Sequence, residues 1–447
     1  HSQTLAQNQN LSDEKVLFSL IEKFHGAIAK GDIELGNKII DEAMPVAIQY
    51  GRPDRAGELQ FLQYYGSAML RLHRSKKTEA EKSNLVEAIL DSLATRHFQL
   101  YEKAKEKNDT DNLIIEGLVS TFLFFEIGDT ISSKNIRTHL IELSRSSQYN
   151  HLEPNFLLHM ANYHSSRDNE KNALIYINMA EESARRIGKL IDLAYILNAK
   201  ATLKDLDWSS RKSMIMESIK LAKDYGLISL ELENLVLFSE NCPDFDLALK
   251  TLVRAEKIGK KVEFYYVLGQ INMSLAYVLY EKEGEFSDEL VNYIDTAKNY
   301  YKKGQFWNDY VFALMGKYSF TRLRLRENGN PNEKTYLHPE IQKIISEMEE
   351  ATELVGDSEA LDSLYNDITG HYFLAGWHYI EQYDTTGIPI YINKLIPYRL
   401  KWYEHSRKSG HNKIIEKLEK SLRSNIGILQ DDAFLGYLFM RNKLLNQ

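Results

Sequence analysis

A helix-ending pattern that recurs along the chain constrains this sequence more than any other feature. It is clearest in residues 172–188, where small or apolar residues recur at steps of four or three: Ala173, Ile177, Ala180, Ala184 and Ile187. That spacing places them on one face of a helix. Gly188 follows, and glycine enters the left-handed conformation that closes a helix at little cost. The segment therefore predicts one helix with a flat, alanine-rich face that a neighbouring helix can approach closely.

The same ending occurs nine times, at intervals of 33–57 residues. A small residue stands four positions before the closing residue in eight of the nine, which are Gly51, Asn108, Asn150, Gly188, Gly226, Gly259, Gly304, Gly356 and Gly410. A new apolar stretch with helical periodicity follows each ending. One helix of a pair cannot bury its apolar stripe alone, and stacking on the next pair buries it. The sequence therefore predicts an all-α solenoid of about nine antiparallel helix hairpins.

The small residues in the middle of the chain resemble those of a tetratricopeptide repeat. Ala161, Ala173 and Ala180 are separated by twelve and then seven residues, as that family requires. The following unit matches at the outer two places and has Arg211 at the middle one. The resemblance is good over residues 155–305 and poor at both ends. Repeats longer than about 34 residues resemble the degenerate long versions found in bacterial regulators and sensors. The resemblance implies a right-handed superhelix that acts as an interaction module, and it implies no activity.

Charge and composition narrow the classes of partner. The net charge is −8, from 55 Lys and Arg against 63 Asp and Glu, without a basic stretch, which argues against nucleic acid as the main partner. The single cysteine, Cys242, excludes an intrachain disulfide and a multi-cysteine metal site. No run of eighteen apolar residues is present, so we expect no membrane span.

Sequence motifs for catalysis or cofactor binding are missing. The chain has no GxxxxGK[ST], no GxGxxG after a strand, no GxSxG and no HExxH. His371 and His378 lie seven residues apart on a predicted helix, but a metal site needs further ligands, so an ordinary core or surface pair is the favoured interpretation. The sequence predicts that the protein is not an enzyme, with no catalytic residues, no metal and no cofactor.

The chain divides into four predicted segments. Residues 1–10 are polar and lack periodicity, which predicts a disordered lead-in. Tetratricopeptide-like repeats follow over 11–326, and the proline- and glycine-containing stretch 327–340 predicts a linker. Residues 341–447 are predicted to form further helical repeats or a capping bundle. The start of the chain resembles the mature end of a secreted bacterial protein and equally an added cloning segment, so extracytoplasmic and cytoplasmic locations stay equally open.

Candidate binding residues follow from the tetratricopeptide resemblance, which implies that the first helix of each hairpin lines a concave face. Among the residues twelve positions after a helix ending, the candidates are Gln63, Asn162 and Lys200, and an Asn there can hold a peptide backbone through its donor and acceptor. The alternative is that they are exposed polar residues without a partner. Arg322, in the run TRLRLREN, is a candidate contact for a carboxylate or phosphate. Its alternative is an arginine near a helix C-terminus, where the helix dipole favours cations.

Three hypotheses for function remain at this level. The first is a non-enzymatic module that binds a protein or peptide partner, as a scaffold or adaptor. The second is a ligand-sensing segment of a bacterial signalling or transcriptional regulator, either outside or inside the cytoplasm. The third, an enzyme on an α-helical scaffold, has no motif to support it.

Overall fold

The computed structural model describes residues 2–73, 79–146, 148–204, 206–328, 335–355, 359–381, 388–409, 411–416 and 418–419, and every regular element in this part of the chain is a helix. The helices are α1 (Ser2–Ala29), α2 (Ile33–Gln49), α3 (Pro53–His73), α4 (Glu79–Glu106), α5 (Thr110–Glu126), α6 (Thr130–Ser144), α7 (Glu153–Ser165), α8 (Glu170–Ile187), α9 (Leu190–Ala201), α10 (Trp208–Tyr225), α11 (Ile228–Asn241), α12 (Phe245–Val262), α13 (Tyr265–Glu283), α14 (Asp288–Gly304), α15 (Trp307–Asn328), α16 (Pro339–Leu354), α17 (Glu359–Glu381) and α18 (Ile388–Ser409). Short 3₁₀ turns precede α7 and α16.

Successive helices pack against one another along the chain. Close pairs include α1 with α2, α5 with α6, α7 with α8, α9 with α10, α11 with α12 and α17 with α18. The short connections make such neighbours antiparallel. The predicted all-α, tetratricopeptide-like array of helix hairpins is therefore confirmed, whereas its handedness and the number of repeats stay predictions. Among the described residues, the structure contains no helix that is both long and apolar enough to cross a membrane.

The alanine-rich face that the sequence identifies on α8 is buried. Ala180 and Ala184 are fully buried and Ala173 is 1% exposed. All three belong to a large apolar core shared by most helices up to α11. Gly188 and Gly226 close α8 and α10 with φ values of 74° and 72°, a conformation that costs a residue with a Cβ atom considerably more than glycine.

The described residues form two compact units. The first unit contains residues 2–73, 84–284 and 303–305, and the second contains 79–83, 285–302 and the residues from 306 onward. The predicted linker at 327–340 thus falls within the second unit, where α15 continues to Asn328 and Pro339 begins α16. Residues 329–334 lie outside the described part of the chain.

The start of the chain, for which the sequence predicts a disordered lead-in, has a helical backbone in the structure, and the division of the chain into segments stays a prediction. Residues 2–10 belong to α1, whose later part carries the buried side chains of Leu17, Phe18 and Ile21. Once such a packed helix exists, each added residue gains a backbone hydrogen bond without a new nucleation step. Propagation from the packed part therefore accounts for a helical backbone in a polar stretch.

Helix α1 closes the first unit on itself. Besides α2, it contacts α11 and α13. Glu22 of α1 accepts hydrogen bonds from the backbone N–H of Ser229 at 2.9 Å and from its Oγ at 2.6 Å. Ser229 lies in the first turn of α11, where unpaired N–H groups and the helix dipole favour a carboxylate. The first and the later hairpins of this unit are therefore joined directly.

Candidate functional site

The residues that the sequence assigns to a groove lie on three helices of the first unit. Gln63, on α3, donates from Nε2 to Asp41 Oδ1 at 2.6 Å. Lys200, on α9, has a 15% exposed side chain and donates from Nζ to Glu181 Oε2 at 2.7 Å. Asn162, on α7, is exposed. Gln63 and Lys200 thus already hold partners within the chain. The peptide-binding role of the three residues stays a prediction.

Arg322, the predicted anion contact, lies on α15 in the second unit. Its guanidinium carbon is 5.8 Å from the ring centre of Tyr318. Burial lowers the pKa of the nearby His371 to about 4, and the positive charges of Arg322 and Lys394 act in the same direction. His371 Nδ1 lies 3.3 Å from the Tyr318 hydroxyl, so this histidine is a neutral core residue. The His378 side chain lies outside the described residues. The binding of an anion by Arg322 stays a prediction.

A group of charged and polar residues is buried in the first unit between α3, α7 and α9. We call it the inner charged cluster; it comprises Arg52, Asp54, Arg55, Glu58, Asn155, His159 and Asp192. Arg52 donates from Nε and Nη2 to the two carboxylate oxygens of Asp54, each at 2.9 Å. Its Nη2 also donates to Asp192 Oδ1 at 3.1 Å. These three side chains are at most 1% exposed, so a fully buried ion triad joins the start of α3 to α9.

The rest of the cluster connects α3 to α7. Arg55 donates to Glu58 at 2.7 Å and to Asp192 at 2.6 Å. Asn155 Nδ2 donates to Glu58 Oε1 at 2.7 Å, and His159 Nε2 lies 2.7 Å from the same oxygen. The α3 side chains thus contact residues about a hundred positions later in the chain. These contacts hold α3 at one position along α7.

Electrostatics keeps the carboxylates of the cluster ionised. Burial alone would raise the pKa of Asp192, but the charges of Arg52 and Arg55 outweigh it and hold the pKa below its ordinary value. The pKa of Glu58 is lowered in the same way, chiefly by Arg55 and His159 against burial. A carboxylate held ionised in this manner is a structural anchor and a poor proton donor. The cluster therefore orders the hairpins.

A carboxylate of a different kind lies near the closing contact of α1. Glu233, on α11, is exposed, yet the protein atoms crowded around it raise its pKa to about 7, and the negative charge of Glu22 adds to the effect. The pKa of Tyr195 is raised by its burial and by the charge of Glu22. Glu233 and Tyr195 therefore hold their protons more tightly than they would in water.

A groove between α10 and α12 in the first unit is a candidate binding surface. We call it the α10–α12 groove; its volume is about 490 Å³, and it is lined by Lys212, Met216, Ile219, Lys220, Lys223, Leu235, Phe238, Leu247, Thr251 and Arg254. Ile219, Leu235 and Phe238 form a buried apolar floor, while Met216 is 50% exposed and Leu247 is 38% exposed. The volume lies within the usual range of ligand pockets.

The charged residues that line the α10–α12 groove are all cationic. Four of its ten lining residues are cationic and none is acidic. Arg254 donates to Glu231 at 2.8 Å, and Lys223 lies 3.7 Å from the same carboxylate. Glu231 is only 9% exposed and lies outside the lining. The surface presented to a ligand is therefore an apolar strip with a positive rim, although the whole chain is acidic.

The residue spacing on α10 predicts one face of this groove, but the repeat argument places the candidate binding residues on other helices. Lys212, Met216, Ile219, Lys220 and Lys223 recur at steps of four, three, one and three, which is one helical face. They lie on the second helix of a hairpin, whereas the tetratricopeptide resemblance points to the first helices. A mixed apolar and cationic face on a second helix is the sequence signal that would find this site.

Comparisons with known proteins leave the ligand of this chain open. No protein-family model and no curated protein match the sequence. A signal transduction ATPase with numerous domains and a tetratricopeptide repeat sensor, from Pyrococcus horikoshii, is 11% identical over 87% of this chain with a TM-score of 0.49. The match covers 55% of that protein, so the chain spans about half its length.

Two Rap structures are similar to this chain as well. The apo form of RapI is 12% identical, with a TM-score of 0.41, over 63% of this chain and 95% of its own length. A Rap protein in complex with competence and sporulation factor is 13% identical, with a TM-score of 0.38, over 71% of this chain and 99% of its own length. The helix pairs of this chain establish its tetratricopeptide-like fold.

Proposed function

We propose that this protein is a non-enzymatic binding module whose first unit holds an acidic amphipathic helix of a partner protein in the α10–α12 groove. The observation that supports the proposal is the apolar floor bounded by four cations, with no acid among the lining residues. Such a surface complements a helix that presents a leucine-type stripe with Asp or Glu beside it.

The dimensions of the groove suit a short helix. Its lining on α10 runs from Lys212 to Lys223, and eleven residues of helix rise by about 16 Å. A partner helix of about three turns would cover that length and bury apolar residues at positions i, i+3 or i+4, and i+7. Lys212 and Lys223 would then lie near its two ends.

Affinity and selectivity come from different parts of the groove. Fully burying an exposed Met or Leu side chain contributes about 1.5–3 kcal/mol. Met216 and Leu247 are 50% and 38% exposed, so each is expected to contribute roughly 0.6–1.5 kcal/mol on binding. Exposed ion pairs contribute about 0.2–1 kcal/mol each. The cations therefore chiefly select an acidic partner and speed its association, an effect that salt reduces.

A site-specific crosslink tests the proposal. Cys242 is the single cysteine and is buried, so Met216→Cys provides a unique accessible thiol for a photoreactive benzophenone label. The labelled protein is irradiated in extract of the native host, and the captured segment is identified by mass spectrometry. A peptide of that segment is then titrated against the unlabelled protein. We expect an acidic helix that binds at least about 10-fold more weakly to Met216→Glu than to the wild type.

Ile175→Glu is the matched control because Ile175 is 47% exposed on α8 and lies outside the groove. It should bind the peptide as the wild type does. A second arm uses the double variant Asn162→Ala, Lys200→Ala. If this double variant loses the peptide and Met216→Glu retains it, the partner binds the first helices and the groove assignment is wrong.

A further inference from the structure

Three side chains of the second unit converge on a small volume where α17 and α18 meet. They are Asp362 on α17, His405 on α18 and His411, which follows α18. One potential ligand atom of each lies within 4.8 Å of the ligand atoms of the other two. His405 Nε2 is 3.8 Å from Asp362 Oδ1, and His411 Nδ1 contacts Asp362 Oδ2 directly. We infer that these three residues form a binding site for a zinc ion.

The donor atoms fit zinc. Two imidazole nitrogens and one carboxylate oxygen are a ligand set that Zn²⁺ favours, whereas Mg²⁺ and Ca²⁺ favour oxygen ligands alone. With metal–ligand distances of about 2.0–2.1 Å, ligand atoms of a tetrahedral site lie about 3.4 Å apart. Side-chain shifts of less than about 1 Å would bring the three donors to that separation.

The surroundings hold the ligands in place. Asp362 is 6% exposed and His405 is 5% exposed. Ser406 Oγ donates to Asp362 Oδ1 at 2.9 Å, which orients the carboxylate in the way that outer partners orient metal ligands. The backbone N–H of His411 donates to the Ser406 carbonyl at 2.9 Å, and the His411 carbonyl accepts from Ile414 at 2.9 Å.

The site has three protein ligands and one direction open to solvent. The side chain of His411 is 25% exposed, so solvent reaches the edge of the site, and water would supply the fourth ligand of a tetrahedral ion. The ion would join α17, the end of α18 and residues 411–416 at one point. Its role is therefore to stabilise the second unit, because an ion that binds only the folded state shifts unfolding toward higher temperature.

The same contacts would also exist in a simple hydrogen-bonded group of one carboxylate and two histidines, so metal binding must be measured directly. The full chain, treated with chelator and dialysed, is titrated with Zn²⁺ by calorimetry and with Co²⁺ by visible spectroscopy. We expect one ion per chain, tetrahedral cobalt bands, and an affinity at least about 100-fold weaker in His411→Ala. Asp362→Asn, which keeps the shape and the acceptor for Ser406, should also bind weakly.

A ligand exchange separates a metal ligand from a structural histidine. In a Cys242→Ser background, His411→Cys should retain the ion and add a thiolate-to-cobalt charge-transfer band that the parent lacks. His151→Ala, in the first unit, should leave binding unchanged and controls for the other histidines. Absence of stoichiometric Zn²⁺ binding by the wild type, or equal binding by His411→Ala with its helix content intact, would overturn the assignment.

Discussion

At the scale of single residues, the buried ion triad of Arg52, Asp54 and Asp192 makes the first unit sensitive to substitution, because each charge depends on its buried partner. The two arginines of the inner charged cluster share the Asp192 carboxylate. Replacing Asp192 leaves positive charge in the protein interior without its counter-charge, which typically costs about 3–5 kcal/mol. We expect Asp192→Ala to lower the free energy of unfolding by that amount, measured by urea denaturation.

An exposed ion pair provides the comparison. Lys204 lies 3.1 Å from Asp168, and both side chains are at least 70% exposed. Lys204→Ala should change stability by less than about 0.5 kcal/mol. If Asp192→Ala is equally mild, water reaches the cluster and compensates the arginines, and the cluster does not fix the register of α3 and α9.

Glu233 gives the first unit a stability that depends on pH. Its pKa rises from an ordinary value of 4.5 in the unfolded chain to about 7 in the fold, through crowding by protein atoms and the charge of Glu22. The folded state therefore holds this proton more tightly. Its contribution to stability is complete below pH 4.5 and is lost as the pH rises through 7.

The Glu233→Gln variant isolates this contribution, because Gln keeps the shape of the side chain and cannot ionise. We expect the stability difference, variant minus wild type, to grow between pH 5 and pH 8 and then to level off, as measured by thermal melts across that range. A difference that stays constant with pH would mean that Glu233 titrates near its unfolded value. The pH dependence that other titratable groups contribute cancels in this difference, because both proteins contain those groups.

At the scale of helices, some of the nine predicted endings are confirmed and others are wrong. Asn150 lies six residues beyond the end of α6 and begins a 3₁₀ turn. Gly188 and Gly226 close their helices as predicted. Gly259, also predicted to close a helix, lies inside α12, where an added Cβ would be 2.9 Å from Leu268 Cδ2. Here glycine permits close helix contact, and local sequence cannot distinguish that use from a cap. The predicted endings at 356 and 410 lie outside the described residues.

Candidate sites are harder to predict than helices because they depend on which helices become neighbours. The side chains that meet in the inner charged cluster and at Asp362 come from positions far apart in the sequence, and no fixed spacing identifies them. Within one helix, the residues that share a face can be read from their spacing, as for the lining residues of the groove on α10. The periodicity of single helices is thus readable from sequence, while the convergence of three helices on one point requires the structure.

The true end of α12 yields a prediction about helix caps. Glu263 closes this helix with a φ of 56°, a conformation that strains residues with a Cβ atom by about 1–2 kcal/mol. Glycine relieves that strain but loses more freedom on folding. We expect Glu263→Gly to be more stable than Glu263→Ala by about 0.5–1 kcal/mol in chemical denaturation. Both variants lose the exposed contact with Lys30, so the comparison reports the backbone alone; equal stabilities would contradict the assigned cap.

At the scale of the whole molecule, the two compact units predict more than one unfolding transition. Each unit has fully buried alanines on a helix face: Ala180 on α8 in the first and Ala351 on α16 in the second. Leucine at either place inserts three carbon atoms into a closely packed contact, which costs about 1–3 kcal/mol. Units with cores of their own unfold as separate cooperative transitions.

Differential scanning calorimetry of Ala180→Leu and Ala351→Leu distinguishes two separate unfolding transitions from one common transition. We expect two transitions in the wild type, of which Ala180→Leu lowers the temperature of one and Ala351→Leu lowers that of the other. Asn178→Leu adds a leucine at an exposed position of α8 and should leave both transitions in place, because no packed neighbour has to move. If both alanine variants shift one common transition, the chain unfolds as a single cooperative body. An unchanged melt for Ala180→Leu would instead show that the flat alanine face of α8 tolerates a larger side chain, and the packing role inferred from that face would be wrong.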